Sequence, residues 1–292
     1  MIYCVIVTYN GMRWIDRCLQ SIRQSVIPMV AVVVDNGSED DTVKHIKANY
    51  PEVILLPQEE NKGFGQANNI GIAYAMQKQA THILLLNQDA AIQPDALQIL
   101  LQHDDGQHLL TPIHMNGDGS CIDDNFFQNT LLSMQPEKHE VKEVPYVNAA
   151  CWLLPAEIIR QVGGFNPLFY HYGEDNNYIQ RLQYYHFEIR LISDAIVYHD
   201  RERHGNEQLY RSGVLYRKLL LIATDINLTA LQRWAKRHKI SIQEIGHSMK
   251  KHYFLACLKD YFAALRKLSA QSKAIRKSRQ IEANTIGAWL TL

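Results

Sequence analysis

A chain of 292 residues, 47% hydrophobic and 21% charged, can bury a large core, which excludes disordered and collagen-like readings. No apolar run reaches the roughly 18 residues that a membrane-crossing helix needs. The 30 basic and 30 acidic residues cancel, but 18 of the basic and only 6 of the acidic ones follow position 200, so a basic tail is joined to an acidic body. Such a tail suits an anionic membrane surface, and nothing in the balance calls for a nucleic acid.

The N-terminus lacks a basic leader and a cleavage site and reads as a first core strand, Tyr3–Thr8. Trp14, Ile15, Cys18, Leu19 and Ile22 follow at helical spacing, then a strand over Val30–Val34 closed by Asp35-Asn36-Gly37-Ser38. A helix from Asp40 to Tyr50, a strand at Val53–Leu56, a helix from Gly63 to Gln79 and a buried strand at Ile83–Leu86 continue the alternation. Pro94 opens a helix through Leu101. Alternation of this kind predicts βαβ units and a mostly parallel sheet flanked by helices. The five cysteines are scattered with no C-x-x-C pair, which predicts free thiols in a reducing cytosol.

Beyond Gly106 a strand is expected at Leu109–Ile113. The polar stretch from Asn116 to Lys142 reads as a surface insertion with the character of a lid. Tyr146–Leu154 reads as a strand, Glu157–Val162 as a short helix closed by Gly163-Gly164, Tyr178–Tyr185 as a helix and Ile189–Tyr198 as a strand reaching His199. After Gly205 the pattern is helical. Leu215–Ile222 is one apolar segment, and Met249, Tyr253, Phe254, Cys257, Leu258, Tyr261, Phe262, Leu265 and Leu268 keep the spacing of a basic amphipathic helix. Packing on the body, a second subunit or a membrane surface would each bury that face. The division is therefore residues 1–205 as an α/β domain and 206–292 as a helical C-terminal extension.

Polar groups gather where strands end. In open α/β sheets ligands collect beyond the carboxyl ends of the strands, and Thr8-Tyr9-Asn10, Asp35 and Asn87-Gln88-Asp89 all fall there. Asp35 could accept from a pyrimidine N–H while Tyr9 gives a flat apolar contact. Asp89 could hold a divalent cation through hard oxygen. Asn61-Lys62-Gly63-Phe64-Gly65-Gln66-Ala67-Asn68-Asn69 puts two glycines at a helix start, where the backbone can approach a ligand, yet it matches neither a dinucleotide fingerprint nor a Walker loop. Glu174-Asp175, flanked by aromatics, could supply a general base, and His199 a metal ligand or phosphate contact.

Together V-I-V-T-Y-N (Val5–Asn10), D-N-G-S (Asp35–Ser38), the Asn61–Asn69 stretch, L-L-N-Q-D (Leu85–Asp89) and G-E-D (Gly173–Asp175) resemble, in order and over about residues 1–200, the family 2 glycosyltransferases, with the look of the bacterial rhamnosyltransferase-like branch. The resemblance implies a GT-A fold and an inverting transfer of sugar from a dTDP- or UDP-sugar donor to a glycan or lipid-linked glycan acceptor, in surface polysaccharide synthesis. It assigns Thr8, Tyr9, Asn10 and Asp35 to the base and ribose, and Asn61, Gly63, Asn68, Asn87 and Gln88 to the rest of the donor. Asp89 and His199 would hold Mg²⁺ or Mn²⁺, and Asp175, with Glu174 beside it, would be the base. Arg181 stands where the family often has an arginine. Asn87 replaces the first Asp of the family's D-x-D, and Asn177 stands where relatives often carry another Asp. The location implied is cytoplasmic, at the inner membrane face, with the C-terminal helices as membrane or dimer contact. A non-catalytic sugar-nucleotide-binding protein and a nucleotidyltransferase are the alternative readings.

Overall fold

The computed structural model describes residues 1–131, 139–201, 207–250 and 254–290. Apolar runs and polar stops alternate as β1 (Ile2–Thr8), α1 (Ile15–Arg23), β2 (Val30–Asp35), α2 (Thr42–Asn49), β3 (Ile54–Pro57), α3 (Phe64–Gln77) and β4 (His82–Asn87). β2, β1 and β4 lie side by side in parallel, with Thr8 opposite Asp35 and Val7 opposite Asn87. Successive strand residues serve opposite faces. Val5, Val32, Ile83 and Leu85 pack with Ile72 and Ala75 of α3, while Cys4, Ile6, Val33, Leu84 and Leu86 pack with Ile15, Leu19 and Ile22 of α1. Burial on both faces is why these strands read as unbroken apolar runs.

The second half departs from the expected plan. β5 (Ala90–Ile92), α4 (Ala96–Gln102), β6 (His108–Asn116), α5 (Asp124–Phe126), a π-helical turn at Phe127–Leu131, β7 (Val141–Glu143), β8 (Cys151–Pro155), α6 (Ala156–Val162), α7 (Glu174–Tyr184) and β9 (Glu188–His199) follow. The sheet order is β3-β2-β1-β4-β8-β6-β9-β5, with β7 also on β9. β8 runs antiparallel to both β4 and β6, so the sheet is parallel over its first four strands in order and mixed beyond. A parallel return needs a long crossover, usually a full helix, and between β6 and β8 the described residues hold only the three-residue α5 and a π-helical turn. The expected strand at Tyr146–Leu154 is correspondingly shorter: Tyr146 to Ala150 is irregular. The expected surface insertion is also corrected, because Phe126, Thr130 and Leu131 are buried at 0–3% exposure and join the core. Residues 132–138 of that stretch lie outside the described residues.

β5 escapes the periodicity because it has three residues. It is joined to β4 through Gln88 and Asp89 alone, yet it pairs with the far end of β9, Ala90 opposite His199. Two residues span at most about 10 Å. The sheet therefore curls until its last edge returns across the end of β4.

The extension is α8 (Glu207–Thr224), α9 (Ala230–Lys250), α10 (Phe254–Ala270) and α11 (Ser272–Asn284). The expected amphipathic helix through Met249 and Leu268 is divided between α9 and α10, and Tyr253 lies outside the described residues. Ala264 and Leu268 of α10 pack with Leu215, Leu219 and Leu220 of α8 and with Phe169 of the sheet domain. Part of the apolar face thus meets the protein's own body, while Phe262 of the same set is 63% exposed. Among the described residues, no helix is long and apolar enough to cross a membrane.

α11 is fastened to the sheet domain by a polar network without solvent contact. The Arg181 guanidinium donates to the carbonyls of Val162 and Gly164 at 2.7 and 2.5 Å and pairs with Glu282 at 3.4 Å, both side chains 0% exposed. Asn166 donates to Glu282 and to Ser278 at 2.8 and 2.7 Å. Beyond α11 the chain lies on the Gly163 turn. Gly163 has φ +84°, and a Cβ there would come within 1.9 Å of the Ala288 carbonyl, so only glycine fits. Asn69 of α3 closes the arrangement, donating to the carbonyl of Phe165 at 2.8 Å and of Trp289 at 3.5 Å.

Candidate active site

The ends of β1, β2 and β4 form a single shelf. Thr8 Oγ1 and the Tyr9 N–H both donate to Gln88 Oε1, at 2.7 and 3.0 Å, which ties the first strand end to the fourth. Asn10 takes a left-handed φ of 49°, its N–H donating to Ser38 and its side-chain oxygen accepting from the Glu39 N–H, each at 2.9 Å. The Asp35 side chain, 2% exposed, accepts from the Ser38 N–H through Oδ2, while Oδ1 has no protein partner. A buried carboxylate oxygen left open at the end of β2, opposite Thr8, is what a base N–H would satisfy.

The glycine loop flanks this shelf. Asn36 and Asn61 are joined amide to amide at 2.9 Å, and Asn61 Oδ1 also accepts from the Gly63 N–H at 2.9 Å. Gly63 has φ +82°, and a Cβ would meet the Tyr170 carbonyl at 2.2 Å. Tyr170 donates its hydroxyl to the Asn61 carbonyl at 3.2 Å. The loop and the segment leading into α7 are therefore in contact. Asn68, expected next to the sugar diphosphate, is 2% exposed and donates to the Phe64 carbonyl of its own helix.

Asp89 and His199 come together as the curl of the sheet dictates, Asp89 Oδ1 lying 3.3 Å from His199 Nε2. Burial pushes the Asp89 carboxyl up, but the hydrogen bond and charge of His199, with help from Arg201, outweigh it and hold the group below its ordinary value. Arg201 Nε donates to His199 Nδ1 at 3.2 Å and pairs with Asp123 at 2.9 Å. That places the imidazole proton on Nε2, facing Asp89. Ligation of a cation through Nε2 requires the other tautomer, whose Nδ1–H would face Asp123, 3.9 Å away. Asn87 has a buried Oδ1 without a partner. A carboxylate held ionised, an imidazole 3.3 Å from it and an open carboxamide oxygen fit a divalent cation that takes its remaining ligands from water and substrate.

A different cluster, His108, Glu143 and Glu188, has ligand atoms within 4.8 Å of one another. It lies at the other end of the β6–β9 pair, where His108 faces Glu188 and Asn116 faces His199. The eight residue steps from His108 to Asn116 amount to about 26 Å at strand rise, too far for that cluster to serve the shelf.

The paired carboxylates start α7 behind Gly173. Asp175 accepts through Oδ2 from the Tyr146 hydroxyl at 2.7 Å and through Oδ1 from the Asn176 N–H at 2.7 Å. Glu174 is 6% exposed, with Oε2 unpaired. Burial, then the charge of Asp175, pushes its carboxyl up to about 8. The two neighbours differ in burial: Glu174 is buried and Asp175 half-buried. Arg217 of α8 lies 5.5 Å over the Tyr172 ring and eases the charge on Glu174. Arg181 and Asn177 are absent from this site. Both face the body, Arg181 in the network under α11 and Asn177, 1% exposed, beside Glu282.

Sequence reasoning missed Tyr146, Asp123, Arg201 and Arg217. Tyr146 and Arg217 fall in segments read as a strand and a helix, and that periodicity says nothing about a site. Arg201 alone stood close to a recognised residue, two positions after His199.

The curled α/β sheet has the architecture of the GT-A fold. Residues 3–146 match Glycosyl transferase family 2, and the chain carries a domain of that family. It is similar to chondroitin synthase of Escherichia coli, 32% identical over 33% of this chain and 14% of that protein. It is also similar to the N-acetylglucosaminyl-diphospho-decaprenol L-rhamnosyltransferase of Mycobacterium tuberculosis, 26% identical over 61% of this chain and 69% of that one. Among solved structures, the mannosyltransferase PcManGT from Pyrobaculum calidifontis, in complex with GDP-Man and Mn²⁺, superposes with a TM-score of 0.60 at 17% identity, over 98% of this chain and 85% of that one.

Proposed function

We propose that the protein transfers a sugar, with inversion, from a nucleotide-diphosphate sugar to a hydroxyl of a glycan acceptor. One observation carries the reading: three parallel strand ends place Asp35, Thr8 with Gln88, and Asn87 with Asp89 side by side. Across them, Tyr170 locks the glycine loop to the segment that ends in Asp175. The nucleoside would lie on the first part of this shelf and the diphosphate near Asp89.

Asp175 takes the proton of the acceptor hydroxyl. The acceptor oxygen then bonds to the anomeric carbon as the bond from that carbon to the phosphate oxygen breaks, and the nucleoside diphosphate leaves with the electron pair. A divalent cation, Mg²⁺ or Mn²⁺, would supply charge neutralisation for that leaving group when bound. Asp89, His199 and the Asn87 carbonyl oxygen are the residues that would hold it. Burial and the Asp175 charge disfavour the charged form of Glu174. The Mycobacterium relative, named for a diphospho-decaprenol substrate, supports an acceptor carried on a lipid diphosphate, with the protein working at the cytoplasmic face of a membrane.

The test pairs binding with turnover. A panel of nucleotide sugars, with and without Mn²⁺, is screened for ligands that raise the melting temperature, and the selected donor is then used in transfer assays. Asp175→Asn is expected to keep the donor-dependent shift and to lose about 10²–10⁴-fold in kcat. Near-normal turnover by that variant would overturn the assignment.

A further inference from the structure

The positive charge of the extension is concentrated. α9, α10 and α11, with the end of α8, enclose a pocket of about 430 Å³ lined by Arg233, Arg237, Arg276 and Arg279. Leu268, 5% exposed, gives it an apolar wall, and Trp234, 61% exposed, stands at its edge. No carboxylate lines it among the described residues.

Two of the arginines are fixed in place. Arg279 donates to the Ala223 carbonyl at 2.5 Å and Arg233 to the Asp225 carbonyl at 3.2 Å, each closing the end of α8. Burial, and then the like charges of Arg233 and Arg276, hold the Arg279 guanidinium below its ordinary range. Neither the Arg237 nor the Arg276 guanidinium has an acidic partner among the described residues. Four guanidinium groups around one cavity repel one another, and an anion relieves that repulsion. Ser272 begins α11 at the same pocket, so the free N–H groups and positive dipole end of a 13-residue helix add to the field.

We propose that this pocket seats the phosphate or diphosphate head of a single-chain lipid, with the start of the chain against Leu268 and Trp234. Guanidinium pairs match phosphate oxygens bidentately, and the apolar wall excludes a bare inorganic ion as the best fit. A concave site of this volume suits one head group, whereas a membrane surface is met by a flat or convex basic face. The placement agrees with an acceptor role and to that extent rests on the transferase reading. Arg217, over Tyr172 beside the acidic pair, and Ala223, at the pocket, are six residues apart on α8, or about 9 Å along its axis. A short glycan on a lipid diphosphate could span from one to the other.

The experiment is calorimetric titration of the full chain with farnesyl diphosphate and, separately, inorganic pyrophosphate, together with sedimentation on phosphatidylglycerol and phosphatidylcholine vesicles. Farnesyl diphosphate should bind more tightly than pyrophosphate, and R237E/R276E should weaken it at least tenfold at an unchanged melting temperature. If the charge reversal unfolds the protein, R237Q/R276Q is read instead and should weaken binding in the same direction. Equal binding by wild type and variant, no binding of farnesyl diphosphate, pyrophosphate binding as tightly as farnesyl diphosphate, or retention on phosphatidylglycerol vesicles alone would each overturn the proposal. No sugar transfer is read, so such a failure leaves the role of Asp175 to its own test.

Discussion

Tyr146 donates its hydroxyl to Asp175 Oδ2 at 2.7 Å from a segment with no regular structure. Asp175 also accepts from the backbone and side chain of Asn176 through its other oxygen, so its orientation is fixed from two sides. Tyr146→Phe keeps the ring and removes one donor. A hydrogen bond to a charged group is worth about 1.5 kcal/mol or more, so kcat should change by about tenfold while KM for the donor holds within about twofold. Steady-state kinetics separate the two, and a change confined to KM would place Tyr146 at the donor instead.

Glu174 makes stability depend on pH in a stated direction. Its carboxyl rises from 4.5 to about 8 in the fold, through burial and the neighbouring Asp175 charge. The native state therefore binds a proton that the unfolded chain has released between those values. This contribution is complete below about pH 4.5, declines as pH rises and is lost above about 8. Urea midpoints measured from pH 5 to 8.5 should fall in the wild type and flatten in Glu174→Gln. An equal slope in both would place the titration elsewhere.

The Asp89–His199 pair predicts a metal response. Mn²⁺ should raise the melting temperature further in the presence of the nucleoside diphosphate than alone, since each would supply ligands or charge to the other. Asp89→Ala should remove the Mn²⁺ increment, and His199→Gln should reduce it. Differential scanning fluorimetry checks both, and an increment that survives Asp89→Ala would move the cation away from this strand end.

The pair between Arg181 and Glu282, both 0% exposed, predicts a large and one-sided stability effect. Removing one partner leaves the other charge buried alone, at a cost of about 3–5 kcal/mol. Glu282→Ala should therefore lower the urea midpoint sharply. Glu282→Gln, which keeps the shape and an oxygen for Asn166, should lower it less. Equal midpoints for wild type and Glu282→Ala would mean that the extension contributes nothing to the domain it covers.

The parallel half of the sheet was legible because its strands are buried on both faces and stop on polar residues, as Leu86-Asn87 does. Thr8, Asp35 and Asp89 could be placed on one edge because strand ends in a parallel sheet share a direction. The antiparallel β8 was not legible as such, since Cys151–Pro155 is as apolar as a parallel strand and nothing in its residues states orientation. Nor was β5, three residues long, although it is what sets His199 beside Asp89. The stretch around Phe126 read as a lid because it is polar on average, while its few apolar residues occupy the core. Arg181 stands out in the sequence only for its match to the family's pattern, and its burial was not legible, since its partner lies 101 positions away in α11.

The last contact of the fold, between Asn69 and the Trp289 carbonyl, joins positions 220 apart. A ribosome releases the chain from its N-terminus. The glycine loop at the head of α3 thus emerges long before the residues that brace its helix from behind. Until the final turns of the extension arrive, the shelf of strand ends exists as a sheet whose third helix has an unanchored flank. Synthesis itself would then separate the moment at which this protein can fold its sheet from the moment at which the helix behind the glycine loop is braced.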